Sequence, residues 1–250
     1  MEKVYARTGL IQKDMTVSFC PGCMHGTAFK LVGEALEELG VGDRATLVMG
    51  VGCSGLALDY VTYDTTTAPH GRACAVATGV KRTNPDSVVF TYQGDGDLAA
   101  IGLGETMSAA NRGENITVIF INNGIYGMTG GQMAPTTLLG MKATTAPFGR
   151  DPKQHGYPMH MCEILNQLTA PYYLERCSCN TPANVIKTRK AIVKAFRNQL
   201  EGKGFSLIEI VTSCPTNWGM DPVDALKFLE EKMFLEFPLG VVRDRSKEEK

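Results

Sequence analysis

Two stretches decide the reading of this chain: Gly94-Asp95-Gly96-Asp97 and, beginning 25 residues after Asp97, the pair Asn122-Asn123. Each follows a short apolar run, Ser87 to Tyr92 before the first and Ile116 to Ile121 before the second. Between them, Ala99 to Asn111 reads as a helix. A β-α-β order predicts neighbouring parallel strands whose carboxyl ends converge on one ligand. Oxygen donors at two such ends suit a hard dication that bridges two phosphates. Asp95 would supply a carboxylate, Asn123 a neutral carbonyl oxygen and Ile125 a backbone carbonyl. The diphosphate would lie against the free N–H groups of the helix beginning near Ala99. Gly94 and Gly96 let the backbone turn without a Cβ clash. Taken singly, the pieces also fit a helix cap at Asp95 and an Asx-turn at the Asn pair.

Working outward, Ala28, Leu31, Val32, Ala35, Leu36 and Leu39 recur at helical spacing between Gly26 and Leu39, with Gly40 as the stop. Thr46 to Met49 reads as a strand that empties into Gly50-Val-Gly-Cys-Ser-Gly55, the usual site-bearing junction of an open α/β sheet. A Thr-rich segment, Thr62 to Thr67, is expected to line the pocket or a subunit boundary, as is the region Met128 to Thr137. Ala73 to Lys81 reads as a small-residue helix. Tyr126 to Tyr157 lacks periodicity and is too long for an ordinary loop, which marks it as functional. Beyond it come a helix at Met161 to Leu168, an extended run at Tyr172 to Arg176, and a long helix at Pro182 to Leu200. An apolar strand interrupted by Glu209 follows at Phe205 to Val211, then a helix at Pro222 to Glu231. The expectation is one αβα domain over residues 1–250, an open and mainly parallel sheet with helices on both faces. Residues 1 to 19 would form an arm leading into the first cysteine site, which begins at Cys20, and Arg243 to Lys250 a solvated tail.

Among 250 residues the formal net charge is -1, so a general nucleic-acid surface is not expected. The start has no basic region followed by an apolar run, and no apolar stretch approaches the roughly 20 residues that span a bilayer. A soluble cytoplasmic protein is expected. Eight cysteines are too sparse here for a disulfide-stapled fold, and in a reducing compartment they are free to bind metal.

Cys20 and Cys23 flank a Pro-Gly turn, Cys53 sits in a glycine-rich turn, and Cys214 precedes a proline after a strand. Four thiolates from separated turns suit either a four-iron cluster or tetrahedral zinc, and spacing alone does not separate the two. Cys74 reads as a small buried residue in a helix. Cys162 has no matching role, and Cys177-Ser-Cys179 reads as an ordinary turn with two thiols. His70 has three candidate jobs: proton transfer, hydrogen bonding to an anion, or helix capping. Arg72, two residues on, offers an anion a planar donor fork.

These motifs together resemble the beta subunit of the 2-oxoacid:ferredoxin oxidoreductases, the family of pyruvate, 2-oxoglutarate and branched-chain 2-oxoacid enzymes. The resemblance runs through Phe19-Cys-Pro-Gly-Cys23, Val51-Gly-Cys-Ser-Gly55, His70-Gly-Arg72 and Gly94-Asp-Gly-Asp97. It continues through Asn122 to Gln132, Pro135-Thr-Thr137 and Ser213-Cys-Pro-Thr216. It implies a thiamine-diphosphate-binding fold, with Mg2+ held by Asp95, Asn123 and the Ile125 carbonyl, and a [4Fe-4S] cluster on Cys20, Cys23, Cys53 and Cys214. It implies a cofactor site built from Gly52, Cys53, Ser54, His70, Gly94, Asp95, Gly96, Asp97, Asn123, Ile125, Tyr126, Gly127, Met128 and Thr129, with His70 and Arg72 beside the reacting groups.

The implied reaction is oxidative decarboxylation of a 2-oxoacid to acyl-CoA and CO2, with coenzyme A as co-substrate and electrons passed to ferredoxin. The implied partners are an alpha subunit carrying the pyrimidine-side domain, a gamma subunit and a ferredoxin-like delta subunit. The glutamate that touches the aminopyrimidine belongs to the alpha partner, so neither Glu105 nor Glu163 is assigned to it. No lysine or arginine lies between Cys53 and His70, which disfavours a substrate with a distal carboxylate. Arg72, Lys142, Arg150 or a partner residue could still supply such a charge. Leu56, Leu58, Val61 and Tyr63 are candidates for an aliphatic pocket, and the substrate expectation leans to a branched-chain 2-oxoacid, then pyruvate. A non-oxidative thiamine-dependent decarboxylase or ligase half would keep the clamp without using the cysteines. A zinc-stabilised assembly protein would use the cysteines and not the clamp.

Overall fold

The computed structural model describes residues 7–12, 14 and 18–247. Parts of the expected arm (1–6, 13 and 15–17) and the end of the expected tail (248–250) lie outside the described residues. The strands are β1 (Ala45–Met49), β2 (Asp64–Thr67), β3 (Val88–Gly94), β4 (Thr117–Asn122), β5 (Ile125–Tyr126), β6 (Gln132–Met133), β7 (Tyr173–Ser178), β8 (Ser206–Val211) and β9 (Gly240–Asp244). Seven of them form one sheet in the order β2-β1-β3-β4-β8-β7-β9, and β5 and β6 pair separately as a small antiparallel ribbon. All neighbours in the large sheet run parallel except β7 and β9.

The helices that matter to the site are α1 (His25–Glu38), α2 (Ala73–Thr83), α3 (Leu103–Asn111), α4 (Pro152–His155), α5 (Met161–Asn166), α6 (Pro182–Leu200), α7 (Pro215–Trp218) and α8 (Pro222–Phe228). Because side chains alternate along a strand, each central strand feeds two cores. Leu47, Phe90, Tyr92, Ile119 and Ile208 face α1 and α6, burying Leu31, Leu36, Ile192 and Phe196. Val48, Val89, Val118, Phe120 and Leu207 face α2, α3 and α5, burying Ala77, Ala109 and Leu165. Leu36 is fully buried, so its truncation to Ala would cost about 2–5 kcal/mol. Thr181 caps α6 by accepting from the Asn184 N–H, and Pro182 occupies its first turn, where a missing N–H costs nothing.

Four expectations change. Arg243 and Asp244 are not a solvated tail: β9 pairs along β7, Asp244 is buried beside Lys194, and Arg243 donates to the carbonyls of Leu168, Pro171 and Asn166. The antiparallel edge strand has no apolar alternation to announce it, since its partner supplies the packing. The Thr-rich segment is strand β2, paired on the outer edge of β1. The helix after the Gly-Asp-Gly turn begins at Gly96 with a wide π-type turn to Ile101, three residues before Ala99, and α3 follows. Part of the expected arm packs firmly, with Ile11 buried and bridged to Val61.

Candidate active site

β3 and β4 are adjacent and parallel, so Asp95 and Asn123 emerge side by side at their carboxyl ends. Asp95 Oδ1 accepts from the Gly96 N–H at 2.9 Å, and Asp95 Oδ2 accepts from Ile125 N–H at 3.1 Å and Thr136 Oγ1 at 2.7 Å. Asn123 Oδ1 accepts from the same Ile125 N–H at 3.2 Å. One N–H is thus shared by two side-chain oxygens, which makes them near neighbours. The carboxylate is 2% exposed, and burial pushes the Asp95 pKa up to about 6 against the pull of its hydrogen bonds. Both ordinary readings of these residues hold as well: Asp95 caps the helix, and Asn122 and Asn123 each close an Asx-turn, onto Gly124 and Ile125. The caps are what fix the oxygens in place.

Gly96 is required by packing rather than by backbone torsion. A Cβ there would stand 2.1 Å from the Tyr126 ring, whose hydroxyl donates to the Gly96 carbonyl. Gly94 meets no such neighbour. Burial together with Asp95 and Asp97 holds the Tyr126 pKa above its ordinary value.

Asp97 has a different job from Asp95. Its buried carboxylate accepts from the N–H groups of Val51 and Gly71 and from Gln93 Nε2, at 3.1, 2.8 and 2.5 Å. His70 Nδ1 lies 2.6 Å from Asp97 Oδ1, off the line of an ideal hydrogen bond. A Cβ on Gly50 would come within 2.1 Å of Asp97 Oδ2, so the β1 loop needs glycine there. Asp97 therefore ties the Gly50–Gly52 and His70–Arg72 loops to β3.

The cavity these loops enclose is lined by His25, Val51, Gly52, Cys53, Ser54, His70, Gly94 through Asp97, Asn123 and Ile125 through Thr129. Every residue expected to bind the cofactor is in that lining, together with His25, which the sequence reading did not single out. Arg72 is not in it: its guanidinium pairs with Glu105 on α3. β2 contributes nothing to it either.

An adjoining cavity of about 390 Å3 is lined by Cys20, Cys23, Cys53 and Cys214 and shares His25, Cys53, Asn123, Gly127 and Met128 with the first. All four expected thiols thus face one space. A Cβ on Gly127 would lie 3.3 Å from Cys53 Sγ and 3.7 Å from Cys214 Sγ, so the absence of a side chain there opens the gap between them. Burial pushes the Cys23 thiol up to about 12 and that of Cys53 up to about 11, and raises Cys214 as well, with the other thiols adding to it. Buried thiols of this kind become thiolates only in the company of a cation. Among the described residues no three His, Cys, Asp or Glu side chains close on one point in the manner of a single-ion site. The donor set nonetheless fits an iron–sulfur cluster, which needs sulfurs spread around a body rather than gathered on one ion. It fits Mg2+ at Asp95 because two of the expected ligands there are an amide and a backbone carbonyl.

Residues that sequence reasoning passed over hold this arrangement together. α7, directly after Cys214, sends Trp218 Nε1 to the Asn123 carbonyl at 3.1 Å and Asn217 Nδ2 to the Gly127 carbonyl at 2.8 Å. The sole tryptophan, four residues beyond Cys214, was the available signal. Of the aliphatic candidates, Leu56 lines the thiol cavity, Val61 and Tyr63 are buried in the core, and Leu58 is exposed. Arg150 is buried and spends its donors on the carbonyls of Ala134, Pro135, Thr137, His155, Gly156 and Tyr157, so it is not free for a substrate carboxylate. Cys74, Cys162 and Cys177 are buried away from the four, with Cys74 Sγ donating to Gln93 Oε1 at 3.3 Å. No helix among the described residues is long and apolar enough to cross a membrane.

Comparison with known proteins agrees with this geometry. The family described as thiamine pyrophosphate enzyme, C-terminal TPP binding domain, matches residues 50–210. A ketoisovalerate oxidoreductase subunit VorA of Methanothermobacter thermautotrophicus is 51% identical over 92% of this chain, which spans only about half of that relative's length (48%). A 2-oxoglutarate synthase subunit KorB of Methanocaldococcus jannaschii is 38% identical over 92% of this chain and 82% of its own. The solved 2-oxoglutarate:ferredoxin oxidoreductase from Magnetococcus marinus, with 2-oxoglutarate, coenzyme A and succinyl-CoA bound, superposes with a TM-score of 0.75 at 30% identity, covering 88% of this chain and 71% of that one. A parallel sheet that ends in paired oxygens, beside relatives matched along most of its length, leaves one conclusion: the chain belongs to the thiamine pyrophosphate enzymes, as a beta-subunit-type member of the 2-oxoacid:ferredoxin oxidoreductases.

Proposed function

We propose that this chain is the diphosphate-binding subunit of an enzyme that oxidatively decarboxylates a branched-chain 2-oxoacid to its acyl-CoA and CO2, passing electrons through a [4Fe-4S] cluster to ferredoxin. The observation that carries the reading is the shared Ile125 N–H, which brings Asp95 and Asn123 together on a wall that also bears Cys53. When bound, thiamine diphosphate supplies a nucleophilic carbon for the 2-oxo group and a sink for the electrons that CO2 leaves behind.

The chain's own residues do the rest. Asp95, Asn123 and the Ile125 carbonyl hold Mg2+ against the diphosphate. Residues Gly52 to Ser54, Gly94 to Asp97 and Tyr126 to Thr129 shape the cofactor's seat, and His70 on the rim orients cofactor or substrate. Cys20, Cys23, Cys53 and Cys214 hold the cluster next to it. Val51 and Met128, exposed apolar residues in the lining of the cofactor cavity, suit cover by an alpha subunit that brings the pyrimidine-side domain. Gamma and ferredoxin-like delta subunits complete the assembly, and residues 1–250 act within it as one diphosphate-binding unit.

Substrate choice follows the cations. Arg150 is spent on backbone carbonyls, Arg72 on Glu105, and the cofactor cavity has no lysine or arginine in its described lining. A distal carboxylate would therefore find no lysine or arginine in that lining, whereas an aliphatic side chain needs none. The 51% identity to a ketoisovalerate oxidoreductase subunit, against 38% to a 2-oxoglutarate synthase subunit, supports the same choice.

The test is kcat/KM of the complex, with thiamine diphosphate, Mg2+, coenzyme A and a low-potential acceptor, for 2-oxoisovalerate, pyruvate and 2-oxoglutarate. 2-Oxoisovalerate should lead. A clear win for 2-oxoglutarate would reject the substrate assignment.

A further inference from the structure

The segment Pro135-Thr136-Thr137 lies 40 residues beyond Asp95 in sequence, yet Thr136 is fully buried and its hydroxyl donates to Asp95 Oδ2 at 2.7 Å. The partners described for Asp95 are all neutral donors: two backbone N–H groups and this hydroxyl. A buried carboxylate held only by neutral donors keeps an uncompensated negative charge, which is costly unless a cation arrives to meet it. A lysine or arginine in the place of Thr136 would hold the carboxylate equally well but would cancel the charge that attracts the cation. A hydroxyl fixes the direction of the carboxylate and leaves its charge intact.

The backbone around Thr136 is itself pinned. Arg150 Nη1 donates to the carbonyls of Pro135 and Thr137 at 2.8 and 2.7 Å, on either side of Thr136. Thr137 Oγ1 donates to the Gly124 carbonyl at 2.6 Å and accepts from Ala134 N–H at 2.8 Å, tying the segment to the β4–β5 turn that carries Asn123. The shelf is therefore fastened to the same turn as the second metal ligand.

We propose that Thr136 is a positioning residue that aims the Asp95 carboxylate at the divalent cation, with Arg150 holding the backbone on which it stands. The inference rests on the reading of Asp95 as a Mg2+ ligand and adds a residue that touches neither metal nor substrate. Outer partners of metal ligands typically control affinity tenfold to a hundredfold, by fixing ligand orientation.

The experiment measures Mn2+ binding, as a spectroscopic stand-in for Mg2+, to the assembled complex in the presence of thiamine diphosphate, by loss of the free-ion electron paramagnetic resonance signal. Thr136→Val preserves shape and removes the donor, and should weaken Mn2+ binding about 10- to 100-fold, whereas Thr136→Ser keeps the donor and should stay within about threefold of the parent. The melting temperature of metal-free Thr136→Ser should match the parent, so that it reports the hydroxyl even if Thr136→Val folds poorly. Parental affinity in Thr136→Val, or equal losses in Val and Ser, would overturn the proposal, because the hydroxyl would then not be what matters. Asp95→Asn separates the two levels: if it too binds Mn2+ as the parent does, the metal reading beneath the proposal fails as well.

Discussion

The two halves of the site are built to different degrees. The oxygen clamp at the ends of β3 and β4 is complete in the polypeptide: Asp95 is held by three donors, Asn123 by its own turn and by Trp218, and both meet at one N–H. The thiol wall is assembled from residues 20, 23, 53 and 214, on separate turns, and its sulfurs have few partners beyond Asn217 Nδ2 at 3.5 Å from Cys214 Sγ. The contrast follows from chemistry. A carboxylate and an amide are satisfied by hydrogen bonds before any ion arrives, so the fold can set them in advance. A buried thiol makes weak hydrogen bonds and stays protonated, so its geometry would be completed by the inorganic group proposed for it.

The largest effect expected from breaking the clamp is at Asp95. Asp95→Asn keeps the shape and removes the charge, and should weaken Mg2+-dependent retention of thiamine diphosphate by more than about a hundredfold, beyond the range typical of outer partners. Equilibrium dialysis of the complex reads this directly. On the other side of the comparison, Cys20→Ser should lose iron and acid-labile sulfide, while Cys177→Ala, in a buried strand away from the cavity, should keep both. Equal loss in the two variants would remove the cysteine assignment, and zinc in place of iron would remove the redox reading.

The clamp also has a deep support in β7 and β8. Glu209, fully buried in β8, accepts from Asn122 Nδ2 at 2.7 Å and from Arg176 Nε at 2.9 Å, and Arg176 in turn grips Glu163. Arg176→Met strands the Glu209 carboxylate in the core and should cost about 3–5 kcal/mol in urea unfolding. Replacing Arg176 and Glu209 together by apolar residues should recover part of that loss.

The smallest expected effect lies far from both regions. Burial alone would raise the Glu114 pKa, but hydrogen bonds from Arg112 and Arg82 outweigh it and hold the carboxyl below its ordinary value. A depressed carboxyl stabilises the fold above the unfolded pKa, near 4.3, and that contribution fades as pH falls through the lower folded value. With both arginines largely exposed, the contribution is on the order of 1 kcal/mol, and Glu114→Gln should flatten stability in that acidic window without touching metal or iron content.

Much of this was legible in the sequence where local pattern and local structure coincide. The apolar runs before Asp95 and Asn123 became β3 and β4, and Pro182 to Leu200 became α6 to the residue, because a cap and a proline fix its start. What escaped was non-local. β9 owes its place to β7, and no periodicity in residues 240–244 records it. The motif Pro135-Thr136-Thr137 was visible, but its reach to Asp95 depends on how Arg150 folds the long loop back on itself. Arg72 was read as a free donor because Glu105, on another element, could not be placed beside it.

The most direct test of the account is a crystal of the complex grown with thiamine diphosphate and Mn2+, examined by anomalous scattering at the manganese edge. The account predicts one manganese peak within about 2.2 Å of Asp95, Asn123 Oδ1 and the Ile125 carbonyl, against the diphosphate oxygens. A fully occupied manganese bound elsewhere, with Asp95 still held only by Gly96, Ile125 and Thr136, would contradict it.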